Sequence, residues 1–215
     1  MKDIIIKIIS VVAIVSFVVL ILFIIPKSTS TIKPTETTTT SMDKEKEYMN
    51  GKHHVIIKVK DLGSIKLELD ADTAPITVTN FLNLVDQKFY DGLTFHRIID
   101  GFMIQGGDPT GTGMGGSDEK ITGEFSSNGI TNNISHVRGV ISMARSTDRN
   151  SASSQFFIVQ KDSTYLDGQY AGFGHVTKGM EVVDKVVKVV DGKVGKNGAV
   201  AAADQPVIES ITRID

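Results

Sequence analysis

The spacing of hydrophobic positions changes sharply along the chain. Ile8 to Ile25 is an 18-residue run without a charge, relieved only by Ser10, Ala13 and Ser16. At about 1.5 Å rise per residue, Ile4 to Ile25 in helical form spans a hydrocarbon core of roughly 30 Å. A cleavable signal peptide carries an apolar stretch of about 7–15 residues and a small-x-small cleavage site. This run is longer, and Lys27-Ser28-Thr29-Ser30 is a poor cleavage site. The pattern predicts a single-pass signal anchor over residues 1–26, with secretion after cleavage as the alternative. Lys2 and Lys7 before the span and Lys27 and Lys33 after it give little orientational bias. One N-terminal span ahead of a long polar region is the layout of an anchored extracytoplasmic domain. Residues 27–51 then read as a flexible linker. Between Ser28 and Ser41, ten of fourteen residues are Ser or Thr, which leaves little apolar surface to offset the entropy of ordering.

From Lys52 onward the periods are those of strands and helices. Ser64–Leu69 alternates strictly, with Ile65, Leu67 and Leu69 opposite Lys66 and Glu68. Val55–Lys60 is a second β-rich run, and Asp61-Leu62-Gly63 between them is hairpin-like. Val78, Phe81, Leu82 and Val85 have helical spacing, with Pro75 in the first turn and Asp72 or Thr73 as its cap. Gly139–Ala144 and Gln155–Gln160 read as buried strands. Met180, Val183, Val186, Val187 and Val190 form a second helical face, and Val207–Ile214 a last strand. The succession predicts a mainly β fold over residues 52–215. Its strands form an antiparallel sheet closed into a barrel, accompanied by two separated helices.

Composition narrows the chemistry. The 215 residues carry 23 Lys and Arg against 25 Asp and Glu, a net charge of −2. That balance argues against nucleic acid as a partner. The absence of cysteine removes disulfides, thiolate metal ligands and thiol nucleophiles. Gly111, Gly113 and Gly116 spell a G-x-G-x-x-G, but Ser117-Asp118-Glu119-Lys120 after it does not open a helix, so a mobile surface loop fits better than a nucleotide site. His53 and His54 are adjacent on a strand and point to opposite faces, so they cannot share one ion. No metal, nucleotide or other cofactor is expected, and a monomer is expected.

One stretch stands apart. Phe95-His96-Arg97-Ile98-Ile99-Asp100-Gly101-Phe102-Met103-Ile104-Gln105-Gly106-Gly107-Asp108 sets Arg and Gln among large apolar residues. By residue type alone, Arg97 could be a surface charge and Phe102 part of a core. Together with Ser154-Gln155-Phe156-Phe157-Ile158 and Tyr165-Leu166-Asp167-Gly168, the stretch resembles the cyclophilin family of peptidyl-prolyl cis-trans isomerases. The resemblance runs from about Val55 to Ile214 and covers neither the apolar N-terminal run nor the Thr-rich segment.

The resemblance implies a closed eight-stranded antiparallel barrel capped by a helix at each end, with a substrate groove on its outside. It implies catalytic roles for Arg97, Phe102 and Gln105. Phe102, Met103, Phe157 and Leu166 would hold the proline ring. Gly113, Ala144, Arg145, Gln155, Tyr165 and Tyr170 would complete the groove, with Ala144 and Arg145 pairing to the peptide through their backbone. Three positions depart from the common family pattern: Tyr165 where many members have Trp, Tyr170 where many have His, and Arg145 for a frequent Asn. In the family, that Trp donates its indole N–H to a carbonyl of the drug cyclosporin. His96 and His175 read as structural or surface residues.

The implied reaction needs no covalent step. An X-Pro bond crosses a barrier of roughly 18–20 kcal/mol because resonance stiffens the C–N bond. Twisting it makes the proline nitrogen pyramidal and exposes a lone pair. A guanidinium can donate to that lone pair in the twisted state only, which is differential binding of the transition state. The rival reading is a proline-motif binding or chaperone module with little turnover. The implied partners are unfolded or exported proline-containing polypeptides, and the membrane through the N-terminal helix.

Overall fold

The computed structural model describes residues 47–215. The expected membrane span and most of the expected linker lie outside the described residues. Among the described residues no helix is long and apolar enough to cross a membrane.

Eight strands form one antiparallel sheet: β1 (Lys52–Val59), β2 (Gly63–Asp70), β3 (Phe95–Ile99), β4 (Met103–Gly106), β5 (Val140–Met143), β6 (Phe156–Val159), β7 (Gly172–Lys178) and β8 (Ile208–Arg213). Their order is β3-β4-β6-β5-β7-β2-β1-β8. The sheet curls until its two end strands approach. There, Thr94 and Val207 form an isolated bridge, Phe95 N–H donates to the Pro206 carbonyl, and Ile208 N–H to that of Leu93. The expected barrel is thus a curled sheet whose edges are joined by a short stitch at one point, not by a continuous ladder.

Helices α1 (Pro75–Asp86) and α2 (Met180–Val189) pack on it, α1 against β2 and β8, α2 against β2 and β4. Phe81 of α1 enters the core, its ring edge-on to Phe156 at 5.6 Å and tilted against Phe173 at 5.3 Å. Tyr90 completes that aromatic group, and its hydroxyl donates to the Ser154 carbonyl at 3.1 Å.

Neither Asp72 nor Thr73 caps α1. Ala74 holds the cap position without a side-chain bond, and Asp70 instead accepts from the Asp72 and Thr73 amides and the Thr73 hydroxyl. The first-turn donors are met from a distance: the buried Glu124 carboxylate accepts from the Ile76 and Thr77 amides at 3.0 and 2.8 Å and from the Thr77 hydroxyl at 2.6 Å. Orphan N–H groups at a helix start need an acceptor, and an anion there also suits the helix dipole. Residues just before β1 are tied down as well. Met49 N–H donates to Thr79 Oγ1 and Gly51 N–H to Asp72 Oδ1, both at 2.8 Å.

β7 has no counterpart among the strands expected from sequence. Its Gly174 lies so close to β2 that a Cβ would collide with the Glu68 carbonyl and the Leu69 Cα, which explains a glycine in a central strand.

Candidate functional site

Strand alternation divides the side chains of β3 to β6 between two hydrophobic groups. Ile98, Ile104, Ile141, Phe156 and Ile158 face the main core. Met103, Val140, Phe157 and Val159 point the other way and pack with Leu166, Phe102, Ala144 and Tyr170 as a separate cluster on the outer face. The register sets Arg97 opposite Gln105, Gln105 opposite Phe157, and Phe157 opposite Ser142, one row across four strands.

Polar contacts run along this row. Arg97 Nη1 donates to Gln105 Oε1 at 3.1 Å, and Gln105 Nε2 donates to Gln155 Oε1 at 2.8 Å. Gln155 Nε2 then donates to the carbonyls of Gly113 and Gly115 at 3.1 and 2.7 Å. On its other side, Arg97 Nε donates to the Asn197 carbonyl at 2.9 Å. The guanidinium also lies 6.0 Å from the centre of the Phe102 ring. Burial holds the Arg97 pKa below the ordinary arginine range, against the opposing fields of Tyr170 and Tyr165.

A cavity of about 180 Å³ opens here, lined by Arg97, Phe102, Met103, Gln105, Ala144, Arg145, Phe157, Leu166 and Tyr170. A second cavity of about 420 Å³ shares Gln105, Ala144 and Arg145 with it and adds Gly113, Met114, Lys120, Ser146, Ser151, Ser153 and Gln155. Of the residues marked in the sequence, only Tyr165 lines neither. It is 70% exposed on a 3-10 turn (Thr164–Leu166), its ring tilted against Phe102 at 5.9 Å. Arg145 lies over the Tyr170 ring at 4.7 Å, while its Nε and Nη2 both donate to the Gln169 carbonyl.

The Gly-rich stretch, a surface loop as its composition suggests, is anchored from below. Asp108, 1% exposed, draws it inward by accepting from the amides of Thr110, Thr112 and Gly113 and from the Thr110 hydroxyl. This places the Gly113 carbonyl within reach of Gln155. Burial opposes ionisation of Asp108, but the bonds from Thr110, Gly115 and Gly113 outweigh it and lower its pKa. His96, beneath the loop, is buried and kept below the usual histidine range by that burial, despite the charge of Asp108. His175 is exposed on β7.

His136, which was not marked in the sequence, lies behind Phe157. Its side chain is fully buried and stacks on Phe157 at 6.1 Å. Its Nδ1 lies 2.9 Å from Asp167 Oδ1 and its Nε2 3.0 Å from Ser142 Oγ. Asp167 also accepts from the His136 amide, and Ser163 N–H donates to the His136 carbonyl. The imidazole thus ties the turn carrying Tyr165 and Leu166 to the back of Phe157. Asp167 was visible beside Leu166 in the sequence; its partner, 31 residues upstream, was not. Among the described residues no group of three or more His, Cys, Asp or Glu is arranged to hold a metal ion.

The smaller cavity thus sits on the outer face of the curled antiparallel sheet, with one doubly anchored guanidinium among its lining residues. Comparison with known proteins gives the family. The family model for cyclophilin type peptidyl-prolyl cis-trans isomerase/CLD matches residues 54–212. "Peptidyl-prolyl cis-trans isomerase A" of Dickeya dadantii is 44% identical over 147 residues, covering 66% of this chain and 75% of that protein. A "probable peptidyl-prolyl cis-trans isomerase" of Brucella suis is 41% identical over 169 residues, 73% of this chain and 81% of the relative. The crystal structure of a cyclophilin type isomerase from Cryptosporidium parvum superposes with a TM-score of 0.67 at 30% identity, covering 77% of this chain and 99% of that one. A second crystal structure of that protein, in the presence of the dipeptide Ala-Pro, gives a TM-score of 0.66 over 75% of this chain. The chain belongs to the cyclophilin family of peptidyl-prolyl cis-trans isomerases, and is an enzyme of that type.

Proposed function

We propose that the outer cavity is the isomerase site, with Arg97 as its electrostatic catalyst. The observation that carries this reading is the double anchoring of the guanidinium, by Gln105 and by the Asn197 carbonyl, beside the walls formed by Phe102, Met103, Phe157 and Leu166. The pocket holds the proline ring while the preceding carbonyl rotates. Arg97 then donates to the pyramidal nitrogen. A 10⁵-fold acceleration requires about 7 kcal/mol. One desolvated charge-assisted hydrogen bond supplies roughly 2–4 kcal/mol of that, and clamping of the ring supplies the rest. Gln105 holds Arg97 in place, and the backbone of Ala144 and Arg145 pairs with the extended substrate. A coupled isomerase assay on an X-Pro tetrapeptide tests the reading. Arg97→Ala should lower kcat/KM by on the order of 10²-fold with the fold intact; a fully active Arg97→Ala chain refutes it. Peptide binding without rate enhancement would favour the rival binding module.

We further propose that residues 1–26 anchor a monomeric enzyme in the membrane, with residues 52–215 extracytoplasmic and serving exported clients. The long uncharged run from Ile8 to Ile25 supports this. Protease added to intact cells should release a soluble domain by cutting within residues 28–50. Full-length protein in the cytosolic fraction would refute the topology.

A further inference from the structure

The segment that follows α2 returns to the catalytic strand. Val194 and Val200 form an isolated bridge, and Gly195 N–H donates to the Ala199 carbonyl at 2.8 Å, so residues 194–200 make a small hairpin. This hairpin docks on the free edge of β3. Ala199 bridges to Arg97, and Val200 N–H donates to the His96 carbonyl at 3.0 Å. Gly198 seats it there: its φ is +86°, and a Cβ would collide with the Ile99 side chain and lie 2.9 Å from the Ile98 carbonyl. Only glycine allows that approach.

The tip residue is Asn197, with φ 61° and ψ 20°. Asn tolerates this left-handed conformation better than any other non-glycine residue except Asp, and a β-branched residue does not. The conformation aims the Asn197 carbonyl at Arg97 Nε, 2.9 Å away. A guanidinium is planar, so a bond to Nε and a bond to Nη1 together fix both its position and its plane. Gln105 supplies the second bond, from the opposite strand. Among the described residues nothing accepts from Arg97 Nη2, which leaves that donor for a ligand. No hydrogen bond of the Asn197 side chain is formed among the described residues, so its contribution is the backbone carbonyl.

We infer that Asn197 is a positioning residue for the isomerase reaction: the 194–200 hairpin holds the plane of the Arg97 guanidinium through the Asn197 carbonyl. The inference rests on the assignment of Arg97 as the catalytic donor. A misplacement of about 1 Å can cost up to 10²-fold in rate, so the hairpin conformation should appear in kcat.

The test uses the full-length chain in the isomerase assay, with kcat and KM resolved by line-shape or exchange measurements. Asn197→Gly keeps the left-handed conformation and the carbonyl; its kcat should stay within about twofold of wild type. Asn197→Val disfavours that conformation; its kcat should fall about tenfold or more. Its KM should stay within about twofold, because the ring-holding walls are untouched. In an Arg97→Ala background the same Val substitution should have no further effect, since the group it positions is gone. Thermal melts of all variants confirm that the domain is folded. Three results overturn the inference: an Asn197→Val chain with wild-type kcat, an Asn197→Gly chain as impaired as the Val variant, or an equal loss in the Arg97→Ala background. An Arg97→Ala chain with full activity would overturn the catalytic assignment as well, whereas a sensitive Arg97 with an indifferent Asn197 overturns only the positioning role.

Discussion

Arg97 and Gln105 are cross-strand partners on β3 and β4, and the amide oxygen of one accepts from the guanidinium of the other at 3.1 Å. The amide nitrogen of Gln105 is spent on Gln155, so its orientation is fixed from both ends. Gln105→Leu keeps much of the volume but removes the acceptor. Leaving a charged donor unpaired in a half-buried site costs about 1–3 kcal/mol. We expect kcat/KM to fall by roughly tenfold and the melting temperature to move little. Wild-type kcat/KM in this variant would show that the Asn197 carbonyl alone suffices.

The activity profile against pH should be level. Burial lowers the Arg97 pKa, yet an arginine guanidinium stays protonated throughout the range proteins tolerate. His96, next to it in sequence, is held below the ordinary histidine value and stays neutral at pH 7. From about pH 6.5 to 9, kcat/KM should therefore vary by less than about twofold. A histidine-like inflection that disappears in His96→Gln would show that His96 acts as an acid or base in the reaction and would refute the purely electrostatic role of Arg97.

Stability, in contrast, should fall on acidification in two stages. Burial is the main cause of the lowered pKa of His136, partly offset by Asp167, and His96 is lowered for the same reason. A histidine with a depressed folded pKa binds its proton more readily when unfolded. Its contribution is therefore complete above the unfolded value of about 6.5 and declines below it. Asp70, Asp108, Asp167, Asp184 and Asp215 are lowered as well. Their contribution is complete above about pH 4 and is lost as pH falls through their folded values. Denaturant melts across pH 3–8 should show a gentle decline from near 6.5 and a steeper one below about 4. A stability maximum near pH 5 would contradict the histidine part.

Glu124 closes the start of α1 from 47 residues away. Glu124→Ala strands the buried Thr77 amide and hydroxyl and the half-buried Ile76 amide, at a cost of about 2–3 kcal/mol. For a domain of this size that lowers the melting temperature by roughly 4–12 °C. The proposed isomerase site is built on β3 to β6, away from this helix start, so kcat/KM at 15 °C should be unchanged. An equal melting temperature would mean water replaces the carboxylate.

Tyr165 projects its ring beside Phe102 and leaves most of its surface open. Its hydroxyl lies at the far end of the ring, so it cannot place a donor where a Trp indole N–H would sit. Losing one donor to a desolvated carbonyl costs about 1–3 kcal/mol, or roughly 5–150-fold in affinity. The chain should be an active isomerase with poor cyclosporin sensitivity. Tyr165→Trp should restore much of that sensitivity and alter kcat/KM by less than about tenfold. Paired inhibition curves decide the matter; wild-type inhibition at low nanomolar drug refutes it.

The legibility of these features follows their physics. Strict alternation in Ser64–Leu69 located β2, because one face is buried and the other is wet. Phe156-Phe157-Ile158-Val159 was legible as a strand but not as two-faced. An all-apolar run cannot reveal that Phe157 and Val159 belong to a second cluster on the outside. β7 carried too few apolar residues and too much glycine to announce itself, since Gly172 and Gly174 answer to close packing rather than periodicity. Eleven of the twelve marked residues line the two cavities, and four of them, Arg97, Phe102, Met103 and Gln105, do so because the Phe95–Asp108 block sits on paired strands. The Glu124 cap, the His136 tie and the Asn197 carbonyl could not be read in advance. Each joins segments tens of residues apart through one polar atom, and local spacing carries no trace of such a contact.

The two cavities lie side by side on the outer face of the sheet and share a wall of Gln105, Ala144 and Arg145. On the proposed assignment of the isomerase site, an open groove of this shape needs no free chain end. A loop that leaves a half-folded client and returns to it can lie across the surface as readily as a tetrapeptide, since nothing has to be threaded through the enzyme. The size limit therefore falls on the segment around the proline and not on the molecule that carries it. An isomerase so built can meet its bond late in folding, for as long as a few extended residues stand clear of the client's own surface.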